Sequence, residues 1–387
     1  MTETVIETGD LRGLELGHDI PARPGMAETE IFTPCLVIDL DAFDRNIAAM
    51  RAHVETHAIR LRSHAKMHKS SAIARHQIAA GGACGICCQK LSEAESLVRG
   101  GVGDVLITNQ LRGAARLRRL ADLAGRARVL VCVDDLENVG ALSRAVMAAG
   151  TRLEVLVEID CGAGRCGVAP GAPALGLARA IADAPGLHFA GLQAYHGRAQ
   201  HLRAHADREA AIASAVVQVR ETVERLAAAG LACDIIGGGG SGTYAFETAS
   251  GVYNELQCGS YAFMDADYAA NRAADGGAVR DFEHALFVLT EVMSHARPDR
   301  AICDAGLKAL TLDSGLPKVT DARFEVLGCS DEHTVLADPQ NRLRPGDRLR
   351  LIPGHCDPTC NLHDWYVGLR GGVVERLWRI DARGKVF

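Results

Sequence analysis

Residues 128–159 read RVLVCVDDLENVGALSRAVMAAGTRLEVLVEI, and this stretch decides the fold. A β-branched run at 128–133 gives way to an Ala- and Leu-rich helical pattern at 135–149, opened by Asp135 as a helix cap. A second β-branched run follows at 153–159. Strand, helix and strand in this order make a parallel βαβ unit. Outward from it the pattern repeats. Further strand candidates lie at 35–40, 59–64, 85–88, 105–108, 189–194, 233–236 and 255–258, and helical patterns at 41–53, 92–100, 174–184 and 204–229. Asp41 is the expected cap of the first helix. So many units in so short a span fit a (β/α)8 TIM-like barrel better than an open sheet. The nine strand candidates are one more than such a barrel needs. After about residue 280 the helical windows thin out. Runs at 282–295, 300–305, 324–327, 334–337, 348–352 and 365–380 read as strands, with turns at Pro345-Gly346, Pro353-Gly354 and Gly371-Gly372. This is the pattern of a second, mainly antiparallel β domain.

Composition narrows the function. The 387 residues are 48% hydrophobic and 23% charged, with 42 basic against 48 acidic side chains. That profile belongs to a globular protein and offers no basic face for nucleic acid or an anionic membrane. The basic run from Arg112 to Arg119 sits in a helical pattern and reads as a solvated face. No run approaches the ~18–20 apolar residues of a membrane span. The chain opens on Glu3, Glu7 and Asp10 rather than on a signal peptide, so a cytoplasmic location is expected. There the 13 cysteines are expected to be free thiols, and their odd number argues against a full disulfide framework.

Three constellations could carry chemistry. Ser63-His64-Ala65-Lys66-Met67-His68-Lys69 follows a strand, at the end where barrels place their active sites. Crowding of two lysines and two histidines is expected to lower a lysine pKa, which suits a Schiff-base nucleophile. The same residues also fit a basic surface loop. Gly237 to Thr243, with Gly240, Ser241, Gly242 and Thr243 at its end, directly follows the run 233–236. It has the make-up and position of a phosphate cradle, or else of a flexible loop. It matches neither the dinucleotide fingerprint nor the P-loop. In Pro353-Gly354-His355-Cys356-Asp357-Pro358-Thr359-Cys360, an extended chain would point His355 and Asp357 the same way. They would then make half of a divalent-metal site, or be plain turn residues. Cys356 with Cys360, or Cys84 with Cys87 and Cys88, lacks the second well-spaced pair of a structural zinc site. Weaker signals at strand ends are Arg165, Tyr195, His196, Gln257 and Tyr261.

Together these motifs resemble the fold-type III pyridoxal-phosphate (PLP) enzymes, the alanine-racemase-like group. Within it they look like the D-threonine aldolase and D-serine dehydratase branch. The likeness also rests on Thr33-Pro34, Ile38-Asp39-Leu40, Cys87-Cys88-Gln89-Lys90, Glu158 to Gly167 and Asn254 to Asp267. It implies that the first strand joins the β domain, which settles the extra strand. The domains become 51–272 for the barrel, and 1–50 with 273–387 for the β domain. It implies Lys66 as the Schiff-base lysine. Gly240 to Thr243 and Tyr261 become the phosphate cradle, and Gln89, Arg165, Tyr195 and Gln257 line the cofactor. It implies His355 and Asp357 as the metal pair. Relatives of the dehydratase branch tend to carry Cys where Asp357 stands, and Asp favours a harder ion such as Mg²⁺ or Mn²⁺. The implied reaction is retro-aldol cleavage of a D-3-hydroxy amino acid, with His196 or a metal-bound water as the base. The foremost substrate is 3-hydroxy-D-aspartate, giving glycine and glyoxylate, and D-threonine is secondary. The alternative is β-elimination by a dehydratase of the same substrates. The resemblance also implies a homodimer.

Overall fold

The fold is described from a computed structural model, which covers residues 11–387. The acidic opening at Glu3, Glu7 and Asp10, and with it the start of segment 1–50, lies outside the described residues. The first strand, β1 (Cys35–Asp39), leads into the helix Leu40–Thr56. Eight strands then close a parallel barrel: β2 (Arg60–His64), β3 (Gly85–Cys88), β4 (Asp104–Ile107), β5 (Arg128–Val133), β6 (Leu153–Glu158), β7 (Leu187–Gln193), β8 (Ile235–Gly238) and β9 (Glu255–Leu256). The ring shuts where Arg60 and Leu61 pair with Glu255 and Leu256.

Alternation along each strand explains why the barrel is filled. In β5, Val129, Val131 and Val133 face the helices, while Leu130 and Cys132 point inward. The inward set is Cys87, Leu106, Leu130, Cys132, Leu156, Ala190 and Ile235, all buried. Side chains thus plug the barrel and leave its C-terminal mouth for chemistry. At the opposite end Arg62, 1% exposed, pairs with the buried Glu255 at 2.9 Å and also meets Asp104.

The remaining strands are β10 (Leu286–Arg297), β11 (Arg300–Cys303), β12 (Lys318–Val319), β13 (Glu325–Cys329), β14 (Thr334–Ala337), β15 (Arg348–Ile352), β16 (Trp365–Arg370) and β17 (Val373–Arg379). With β1 they form a nine-stranded sheet, ordered β13-β14-β11-β10-β1-β16-β17, with β15 also paired to β10 and β12 to β15. The expectation for the first strand holds: β1 lies between β10 and β16, antiparallel to the first and parallel to the second. The single strand expected at 365–380 is instead the hairpin β16–β17, which turns at Gly371 and Gly372 with φ of +57° and +78°. The expected cap at Asp41 moves back to Asp39, whose carboxylate accepts the Asp41 and Ala42 amides at 3.1 Å. Asp135 caps its helix as expected, accepting from the Asn138 amide at 2.9 Å.

Barrel and sheet share one apolar cluster, in which Phe43, Phe263, Tyr366 and Trp378 meet ring to ring. Burying such a side chain contributes roughly 1.5–3 kcal/mol or more, so the joint is held by core packing and not by surface charge. The Arg112–Arg119 run behaves as a solvated face, with Arg119 paired to Glu95 and Arg112 to Asp135. The cysteines are free thiols. No helix among the described residues is long and apolar enough to cross a membrane.

Candidate active site

β2 ends at His64, and the chain turns over the barrel mouth through Ala65 to Ser70. The turn closes when the Lys69 amide, at φ +51°, donates to the Ala65 carbonyl at 2.7 Å. This separates the two lysines. Lys69 turns inward and pairs with Glu93, both largely buried. Lys66 stays 41% exposed and reaches Asp357 Oδ2 at 2.7 Å. The expectation of a lowered lysine pKa is therefore corrected. The Asp357 carboxylate pushes the Lys66 pKa up, against the opposing effect of burial. The sequence neighbourhood offers only basic side chains; the anion comes from the other half of the chain.

Around Lys66 lie neutral groups. Burial, and then Lys66 itself, hold His64 well below the usual histidine range, so its ring is uncharged at neutral pH. His64 Nε2 meets Gln89 Nε2 and Thr108 Oγ1, each at 3.2 Å, and Gln89 also donates to Thr108 at 2.9 Å. Gln89 thus stands beside the lysine turn. Tyr195, just past β7, has its phenol pushed up by burial and stays protonated. Arg165 projects from the loop after β6, 3.8 Å from Glu158 and 54% exposed. That loop is tied by Asp160, which accepts the Gly162 and Gly164 amides at 3.1 and 2.9 Å. His196 lies on it: a Cβ at Gly162 would fall 2.4 Å from His196 Nε2, so glycine is what lets the ring close down. His196 Nδ1 is buried with no partner. Burial lowers its pKa. Among the described residues His196 shares no hydrogen bond with Lys66, His355 or Asp357.

The glycine loop after β8 is more committed than its composition implies. The Gly242 amide donates to Gln200 Oε1 at 3.0 Å, Gln200 Nε2 donates to the Thr243 hydroxyl at 2.7 Å, and that hydroxyl donates to Glu247 at 2.8 Å. Gly242 and Thr243 therefore brace the loop from behind. The Gly240 carbonyl accepts the Thr243 and Tyr244 amides at 3.1 and 2.9 Å, and Ser241 Oγ accepts the Tyr261 amide at 2.8 Å. The Tyr261 ring itself is fully buried, with its hydroxyl 3.1 Å from Ser63 Oγ, so this residue meets the loop through its backbone. Gln257 is locked in a reciprocal amide pair with Gln193, at 2.7 and 2.8 Å.

His355 and Asp357 sit on a different element from the one expected. His355 is the N-cap of the short helix Cys356–Cys360, and Asp357 lies in its first turn. Helix geometry, not strand alternation, brings His355 Nε2 to 3.8 Å from Asp357 Oδ1. The buried Asp265 holds the helix start, accepting the Cys356 amide at 3.0 Å. Burial pushes Asp265 up to about 6. Cys356 and Cys360 are buried in the core, their thiols pushed up by burial. Gln200, Glu247 and Asp313 carried no motif by which the sequence could have marked them, and Asp265 lay unremarked within the stretch Asn254 to Asp267. Asp313 meets His355 Nδ1 at 2.6 Å.

Strand ends of one barrel and a helix of the sheet domain thus converge on one lysine. Residues 38–267 match the family described as alanine racemase, N-terminal domain. The chain belongs to that family. Residues 285–369 match a serine dehydratase domain. Over 384 residues the chain is 53% identical to 3-hydroxy-D-aspartate aldolase of Paracoccus denitrificans (strain Pd 1222), covering 98% of this chain and 99% of that one. The crystal structure of D-threonine aldolase from Filomicrobium marinum superposes with a TM-score of 0.92 at 47% identity, over 95% of this chain and all of that one. D-threo-3-hydroxyaspartate dehydratase of Delftia sp. (strain HT23) is 32% identical over 383 residues, 89% of this chain and 96% of that one. The chain therefore stands closer in sequence to these aldolases than to this dehydratase.

Proposed function

We propose that this protein is a PLP- and divalent-metal-dependent aldolase that cleaves D-3-hydroxy amino acids. Its foremost substrate is 3-hydroxy-D-aspartate, cleaved to glycine and glyoxylate, with D-threonine secondary. The observation that carries the reading is the meeting of Lys66, from the barrel, with the His355–Asp357 pair, from the sheet domain.

The residues present fit both groups. A Cβ at Gly240 would come within 2.4 Å of Gln200 Oε1, the atom that accepts the Gly242 amide, so a side chain there would displace the Gln200 brace; the bare backbone suits an anion cradle. Lys66 is an amine at a strand end of the same barrel mouth. One imidazole nitrogen and one carboxylate oxygen make a donor set suited to Mg²⁺ or Mn²⁺, with water completing the shell. Lys66 would hold the cofactor, Gly240 and Ser241 its phosphate, and Gln89, Arg165 and Tyr195 would border its ring. Gln257 would act through Gln193, and Tyr261, Gly242 and Thr243 would shape the loop. His355 and Asp357 would hold the ion.

When bound, PLP supplies an electron sink and the ion a Lewis acid for the substrate hydroxyl. The chain does the rest. Asp357 keeps a charge partner on the Lys66 amine. His64 offers an uncharged ring beside it. His196, neutral because burial lowers its pKa, is the base that takes the hydroxyl proton. Lys66 returns a proton to the glycine carbon.

The domain division at 51–272 against 1–50 with 273–387 is proposed with this reading, as is a homodimer. Incubation with 3-hydroxy-D-aspartate, followed by NMR of the products, tests it. Glycine with glyoxylate is expected; oxaloacetate with ammonia would overturn cleavage in favour of elimination.

A further inference from the structure

The segment 311–315 is strapped to the helix that carries Asp357. The Thr311 amide and hydroxyl meet Thr359 Oγ1 at 3.3 and 3.2 Å, and Thr359 is fully buried. A Cβ at Gly354 would lie 2.5 Å from the Gly315 carbonyl, so segment and helix start are in close backbone contact. Between these two points stands Asp313. Thr311 Oγ1 donates to Asp313 Oδ1 at 2.8 Å, and Ser314 Oγ donates to Asp313 Oδ2 at 3.3 Å. Asp313 Oδ2 in turn is 2.6 Å from His355 Nδ1. We infer that Asp313 is a positioning residue for metal binding: by accepting the Nδ1 proton of His355 it fixes the ring's orientation and tautomer, leaving the Nε2 lone pair facing Asp357. The inference rests on the metal reading of His355 and Asp357 given above.

The geometry also separates Asp313 from the ligands. The two nitrogens of an imidazole point out of different edges of the ring, so a carboxylate bonded to Nδ1 does not share an ion held on Nε2. Carboxylate–histidine–metal chains of this kind make the histidine more basic and hold its ring still, and losing the carboxylate typically weakens metal binding about 10- to 100-fold.

The test uses the holoenzyme and Mn²⁺ itself as probe. Free Mn²⁺ is titrated by its electron paramagnetic resonance signal against the parent protein, D313A, D313N and H355A, with the visible absorbance of bound PLP recorded for each. H355A is expected to lose tight binding. D313A is expected to weaken Mn²⁺ binding about 10- to 100-fold at unchanged PLP absorbance. D313N, whose amide oxygen still accepts the Nδ1 proton, is expected to recover a large part of that loss. D313A binding Mn²⁺ within about twofold of the parent, or D313N as weak as D313A, would overturn the positioning role. Unchanged Mn²⁺ affinity in H355A would instead overturn the metal site, and the role of Asp313 with it.

Discussion

Lys66 Nζ and Asp357 Oδ2 lie 2.7 Å apart, though 291 positions separate them in the chain. The lysine ends a strand of the barrel, and the aspartate opens a helix of the sheet domain. Neither half of the chain holds a complete site. Phe43, Phe263, Tyr366 and Trp378 pack together in the core cluster that the two halves share, so core packing supports the arrangement.

The two lysines of the turn should separate cleanly by spectroscopy. Lys66→Ala is expected to abolish the visible absorbance of lysine-bound PLP. Lys69→Ala is expected to retain it and lower Tm, because Glu93 is left buried without its cation. Breaking such a pair costs about 3–5 kcal/mol. The band surviving in Lys66→Ala and vanishing in Lys69→Ala would move the site three residues along.

Metal removal should silence catalysis without emptying the cofactor site. Treatment with a chelator, or His355→Ala, is expected to cut kcat/KM by about 100-fold or more, the loss of a Lewis acid worth several kcal/mol. PLP absorbance should persist. Added Mn²⁺ should restore the chelated protein but not His355→Ala. Full activity in chelator would rule out the metal-assisted reading.

The glycine loop should not tolerate a side chain. A Cβ at Gly242 would fall 2.7 Å from the Gln200 carbonyl, a backbone atom that cannot swing aside. Gly242→Ala is expected to cost roughly 1–3 kcal/mol in loop geometry and to weaken PLP binding about tenfold. Fluorescence titration of the apoprotein with PLP measures it; unchanged affinity would show that Gly242 does not shape the cradle.

Glu247 should leave a pH signature. Burial pushes its carboxyl up to about 7, with one oxygen lacking a partner. The unfolded chain releases this proton near the ordinary value of 4.5. The folded state therefore binds more protons between these two values, and stability falls as pH rises through that window. Glu247→Gln is expected to remove this fall and to raise stability above pH 7 by on the order of 3 kcal/mol. Urea melts at a series of pH values read it out; the same slope in both proteins would exclude Glu247 as its source.

The barrel was readable because its signal is local. The alternation of Val129, Val131 and Val133 with Leu130 and Cys132 lies within six residues. The cap at Asp135 and the glycine turn at 371–372 are equally local. The environment of Lys66 was not. Its neighbours in sequence are basic residues, so crowding implied a lowered pKa, while burial keeps His64 uncharged and the deciding carboxylate comes from 291 positions away. His355 and Asp357 were singled out through the wrong geometry: proline at 358 sits inside a short helix that the sequence pattern read as extended. Gln200, Glu247 and Asp313 act through contacts that exist only once distant segments meet, and a single side chain of common type leaves no pattern to find.

The claim that one site is built from both halves is tested most directly by anomalous diffraction from crystals grown with PLP and Mn²⁺. A manganese peak bonded to His355 Nε2 and Asp357 is expected, in the same pocket as cofactor density continuous with Lys66. A peak on other residues, or cofactor density joined to Lys69, would contradict it.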